Sequence, residues 1–313
     1  MKKNQFKGPL FLILAALLWG TTFVAQSTAA DSVEPFTFNC CRQFLGGLVL
    51  IPVILVKNRG RLFRELPTRE DKKRLLGYGL VCGFLLFLAT NAQQFGIAMG
   101  TSAGKSGFIT AIYVILVPVF GIFFGKRLRW PVWICVLLTA AGMYFLCMAS
   151  FDAGLRGLAE NFTMTKGDLV SFLCAVFFAL HIMAVDRFVG KTDGVFLSCV
   201  QFLFCGFFGF LAMLLFETPS LDGILAASGA ILYAAFFSCG MAYTFQILGQ
   251  KYTPPVLASM IMCLESVFAV FSDLIFLKTP MSLEEVLGCL LMFVAILASQ
   301  LLDALPAKAR RKK

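Results

Sequence analysis

Charge is what this sequence has least of. Of its 313 residues only 14% are charged and 59% are hydrophobic, and the mean hydropathy is +0.85. A soluble domain keeps roughly a quarter of its residues charged. A chain this poor in charge cannot cover itself with a water-compatible surface, so lipid is its expected solvent. Histidine is also scarce, with one in the chain, and none of the 11 cysteines forms a C-x-x-C pair. That removes the usual zinc ligand sets, and cysteines inside apolar runs behave as small hydrophobes. No long polar stretch is present, so at about 20 residues per crossing there is no room for a separate soluble domain. The net charge of +10 comes without any RNA- or DNA-binding motif, so no nucleic-acid partner is expected. No metal or cofactor is expected either.

What the chain does have is long apolar runs. They fall at about 8–29, 36–56, 75–98, 106–125, 131–150, 168–188, 195–216, 224–249, 256–277 and 283–302. Each is too long and too uniformly apolar for a spanning strand, which needs about 9–11 alternating residues. The first run exceeds the apolar core of a signal peptide and is read as a retained helix. The expected fold is all-α: a polytopic membrane protein of ten transmembrane helices.

The basic residues give the orientation. With the N-terminus in the cytoplasm, the inner segments take Lys2, Lys3 and Lys7, the cluster from Lys57 to Arg74, Lys126, Arg127, Arg129, Arg187, Lys191, Lys251 and the tail from Lys308 to Lys313. The outer segments take only Lys105, Arg156, Lys166 and Lys278. Lys and Arg accumulate in cytoplasmic loops, so both termini are expected inside, in the plasma (inner) membrane of the cell.

The second half echoes the first. Gly8-Pro9-Leu10 aligns with Gly167-Asp168-Leu169, Arg42-Gln43-Phe44 with Val200-Gln201-Phe202, Gln94 with Gln246, and Thr101 with Thr253, the last in a register that then continues unbroken. An odd number of helices per half makes the second half enter the membrane from the opposite side. The expected organisation is two inverted five-helix repeats, 1–150 and 151–313, the second ending in a basic cytoplasmic tail. Inverted repeats around a midplane site are common in secondary transporters.

Three stretches carry a family resemblance: Leu14–Phe23 around Trp19-Gly20, Ser102–Pro118 around Tyr113, and Tyr252–Ala269 around Glu265. On these the chain resembles the EamA family of the drug/metabolite transporter superfamily. The resemblance covers about residues 8–302. It implies a carrier of small metabolites, such as amino acids or related polar and aromatic compounds, working as an exporter by alternating access. It also implies that helices 3 and 8 line the pore. Two departures stand out: Ser266 follows Glu265 where the family often has proline, and Leu277-Lys278 stands where it often has Gly-Glu.

Ionisable groups inside a bilayer are costly and mark sites. At about 1.5 Å per residue, His181 and Glu265 lie near mid-depth, while Arg42 and Asp273 lie nearer the outer surface. Arg42 and Asp273 are expected to pair as a gate or a structural ion pair. The expected substrate-binding set is Trp19, Asn91, Gln94, Tyr113, His181, Tyr243, Gln246 and Glu265. Glu265 could hold a substrate amine or carry a proton as coupling ion. Trp19 and Tyr113 could stack on a planar solute, and each of these residues could equally serve packing. The stretch Gly100–Ser106 imitates a phosphate loop, but it is one residue short and follows a membrane helix, not a strand. Asn161-Phe162-Thr163 matches a glycosylation triplet. The competing reading is a non-transporting membrane protein, a scaffold or a membrane-embedded enzyme. The enzyme version lacks a catalytic cluster in the sequence. The oligomeric state is not written in the sequence.

Overall fold

The computed structural model describes residues 6–30, 32–61, 66, 68–101, 103–125, 129–148, 164–272, 274–275, 278 and 281–304. Among these, the regular structure is helical. The first half holds α1 (Lys7–Ala30), α2 (Pro35–Lys57), α3 (Arg69–Ala98), α4 (Ala103–Ala111), α5 (Tyr113–Phe123) and α6 (Trp130–Cys147). The second half holds α7 (Lys166–Phe188), α8 (Gly194–Phe216), α9 (Leu221–Ala226), α10 (Ser228–Tyr233), a π-helical stretch (Ala234–Ala242), α11 (Tyr243–Gln250), α12 (Pro255–Met262), α13 (Leu264–Ser272) and α14 (Leu283–Ala304). Among the described residues, eight helical spans are long and apolar enough to cross a membrane, and two shorter apolar ones cover Lys7–Thr22 and Pro255–Phe271. The glycosylation triplet and Asp273 lie outside the described residues.

The helix starts reflect local chemistry. Thr68 with Asp71, and Thr165 with Asp168, form reciprocal capping boxes at α3 and α7. Asp193 accepts from the backbone N–H groups of Val195 and Phe196 at the start of α8. At α2 the first residue is Pro35, and the Glu217 carboxylate accepts from the N–H groups of Phe36 and Thr37, both at 2.7 Å. A helix N-terminus leaves N–H groups unpaired and favours a negative group there.

Two of the expected helices are broken in mid-run. The fourth divides at Ile112 and the ninth at Cys263. Pro118 has no N–H to give the Val114 carbonyl and crowds it, which loosens the turn beside Ile112. No proline follows Glu265, yet the break at Cys263 is there all the same. Around it Ser266 N–H bonds back three residues to Cys263 O at 3.3 Å, and the Ser259 hydroxyl donates to Val256 O at 2.7 Å, an alternative partner that competes with regular helix bonding.

The halves interlock. α2 packs on α8, α6 on α14, α3 on α7, and α1 on α11 and α13. Two of these crossings match. A Cβ added to Gly8 would lie 2.1 Å from Thr253 Oγ1 and 3.0 Å from Gly249 O, and one added to Gly167 would lie 2.5 Å from Thr101 Oγ1 and 2.9 Å from Gly96 O. Only glycine lets the backbones approach this closely. The start of α1 thus meets the end of α11 as the start of α7 meets the end of α3. On the outer surface apolar side chains face away from the bundle: on α14, Leu290, Val294, Leu297 and Leu301 are exposed while Met292, Ala295 and Ile296 are buried.

Candidate functional site

Between the halves lies a partly open cavity. Its walls come from both halves. α1 contributes Trp19, Thr22 and Gln26, a stripe at helical spacing, and α2 contributes Arg42. Gln93, Thr110 and Tyr113 come from α3, α4 and the first residue of α5. The second half supplies Phe178, Ser238, Tyr243, Gln246 and Glu265. Ser238 lies in the π-helical stretch and Tyr243 directly after it. Tyr113 follows the break at Ile112 by one residue, and Glu265 follows the break at Cys263 by two. Irregular helix geometry of this kind gathers at functional sites.

The aromatic wall is built edge to face. Trp19 and Tyr243 have ring centroids 4.8 Å apart at 68°, and Tyr243 rests on Phe202 at 5.3 Å. Trp19 Nε1 and Gln246 Oε1 are enclosed without a hydrogen-bond partner among the described residues. Buried polar atoms are normally paired; these two are shut inside the wall and leave a donor and an acceptor unsatisfied there.

Arg42 is 3% exposed and Glu265 8% exposed, so both side chains are held inside the protein. Nε of Arg42 donates to Asn39 Oδ1 at 2.8 Å, and its Cζ lies 5.2 Å from the centroid of the Phe38 ring. Among the described residues, no carboxylate lies within ion-pair distance of Arg42. Arg42 and Glu265 thus share one cavity, although depth along the helices suggests separate levels.

Of the other residues singled out in the sequence, Asn91 stands behind Arg42, since its Oδ1 accepts from Asn39 Nδ2 at 2.9 Å. His181 Nε2 lies 3.1 Å from Gln201 Oε1, and the imidazole meets the Tyr243 ring at 6.2 Å, so it forms a layer behind the aromatic wall. Gln94 is buried but does not line the cavity, and Gln93 does. The matched crossings explain this shift. They pair Gly96 with Gly249, and counting back from them puts Gln93 opposite Gln246. The alignment of Gln94 with Gln246 is therefore one residue out of step in space. The step lies in the turn that follows, which takes five residues from Gly96 to Thr101 and four from Gly249 to Thr253. The stripe Trp19, Thr22, Gln26 was open to a reading by helical period; Gln93, Thr110 and Ser238 carried no such signal.

The EamA-like transporter family matches this chain twice, over residues 6–148 and 165–300. An uncharacterised transporter of Archaeoglobus fulgidus is 29% identical over 293 residues, covering 92% of this chain and 84% of its own. The uncharacterised transporter YwfM of Bacillus subtilis is 29% identical over 152 residues, 47% of this chain and 46% of its own. A crystal structure with 21% identity has a TM-score of 0.75 and covers 94% of this chain and 96% of its own, a likeness of fold. With two family matches spanning most of its length and a set of apolar helices suited to a bilayer, the chain belongs to the EamA-like transporter family.

Proposed function

We propose that this protein is a secondary carrier that takes small polar or aromatic metabolites, amino acids and related compounds, through the central cavity by alternating access, working as an exporter. Ten crossings in two inverted five-helix halves, both termini cytoplasmic and the plasma (inner) membrane as location belong to the same reading. The positive-inside pattern of the loops supports the orientation. The matched crossings of α1 with α11 and of α3 with α7 support a two-fold relation between the halves, because the first helix of each half meets the end of the third run of the other.

The observation that carries the proposal is the cavity itself. It lies between the two halves, holds an arginine and a glutamate, and has aromatic side chains on its wall. A polar pocket at bilayer depth costs stability unless it serves a path. Glu265 is the group placed to meet a substrate ammonium or a coupling proton.

The test is uptake and counterflow in proteoliposomes, with amino acids, nucleobases and organic cations at two pH gradients. Saturable flux of at least one class is expected, and Glu265→Gln should cut it at least tenfold with insertion intact. If Glu265 carries the coupling proton, the residual flux of that variant loses its response to the pH gradient. Flux no faster than in empty liposomes for every compound would remove the carrier reading.

A further inference from the structure

The guanidinium of Arg42 is held from behind and left open in front. Its Nε edge is taken by Asn39 Oδ1 at 2.8 Å. Asn39 cannot turn away, because its Nδ2 donates to Asn91 Oδ1 at 2.9 Å and to Thr90 O at 3.2 Å. Asn91 is fixed in turn, its own Nδ2 donating to Phe87 O at 2.8 Å. Asn39 and Asn91 are 0% and 4% exposed, so this relay is sealed from solvent. Arg42 lines the cavity, and neither of its Nη nitrogens is both enclosed and unpaired. Among the described residues no group accepts a hydrogen bond from them, so the two-pronged end of the fork opens onto the cavity.

A planar fork with both prongs free matches a carboxylate, which accepts two parallel N–H bonds from one guanidinium. The cavity also holds the Glu265 carboxyl, and among the described residues no lysine or second arginine lines it. Against an ionised Glu265 the two side chains sum to zero, so a doubly charged phosphate would leave two negative charges unbalanced. A single carboxylate balances Arg42, and an amine on the same solute would balance Glu265.

We propose that Arg42 is the anchor for the carboxylate of the solute, with Asn39 and Asn91 as positioning residues that aim its fork. The proposal rests on the cavity being the substrate site and narrows the substrate to monocarboxylates, zwitterions included.

The full chain in lipid nanodiscs can be titrated calorimetrically with three probes of one shape: 3-phenylpropionate, L-phenylalanine and L-phenylalaninamide. The two acids are expected to bind at least tenfold more tightly than the amide, and Arg42→Gln should bring them down to its level. Asn91→Leu should weaken the acids about three- to tenfold through the loosened fork and leave the amide unchanged, whereas general damage would weaken all three. Should Arg42→Gln fail to fold, Arg42→Lys keeps the charge without the fork, and a reduced acid-over-amide ratio in it supports the anchor. An equal response to acids and amide in the unaltered protein, binding of none of the three, or an acid preference untouched by the Arg42 variants would overturn the proposal. Flux in proteoliposomes without an Arg42-dependent acid preference would remove the anchor and leave the carrier. An Arg42-dependent preference without flux would do the reverse.

Discussion

The two glycine crossings share a backbone frame and differ in what fastens them. Where α7 begins beside the end of α3, Asp168 is buried and fully engaged. Lys105 Nζ sits 2.7 Å from its Oδ2, the Thr101 hydroxyl donates to its Oδ1 at 3.1 Å, and Thr165 N–H donates to Oδ2 at 2.8 Å. Where α1 begins beside the end of α11, Pro9 holds the place of Asp168 and Leu257 that of Lys105. There the Thr253 hydroxyl is buried without a partner among the described residues. One crossing is closed by shape and charge, the other by shape alone. Equal halves would make the two ends equally easy to part; the Asp168 cluster sets them apart.

Removing the shared feature should have the largest effect. Gly8→Leu and Gly167→Leu each drive a side chain into facing backbone, and each is expected to cost about 3 kcal/mol or more. Thermal unfolding in nanodiscs would show it, and a small cost at one of the two would break the equivalence of the crossings. The feature they do not share ranks second. Asp168→Asn leaves Lys105 without its counter-charge and should cost about 1.5–3 kcal/mol, while Pro9→Ala should stay within about 0.5 kcal/mol. The matched threonines give the finest contrast. Thr101→Val loses a hydrogen bond to a carboxylate and should cost about 1–2 kcal/mol. Thr253→Val discards an unpaired hydroxyl and should be neutral or slightly stabilising. Equal costs for the two threonines would mean that Asp168 contributes little.

Much of this architecture could be read from the sequence, because long apolar runs are local signals. The ends of α2, α8 and α14 fall within about two residues of the expected bounds. Trp19, Tyr113, Tyr243, Gln246 and Glu265 meet around one cavity as polar or aromatic interruptions of apolar runs. What stayed hidden depends on geometry beyond the sequence neighbourhood. Gln93 and Gln94 are indistinguishable by type, and only the matched glycine crossings tell which of them stands opposite Gln246. Lys105 reads as an ordinary loop charge until Asp168 is brought beside it. Asn91 reads as a lining residue, and only the position of Asn39 places it behind Arg42. The pairing of Arg42 with Asp273 concerns a residue outside the described ones.

The breaks at Ile112 and Cys263 carry a consequence for tuning. Tyr113 opens the helical segment after one break and Glu265 lies in the first turn after the other. A bend at either joint must therefore displace a side chain that lines the cavity. On the proposed reading of the cavity as the solute's path, grip and passage are mechanically coupled: a substitution that stiffens a joint changes how firmly the solute is held, and a solute that pulls on Glu265 loads the joint beneath it.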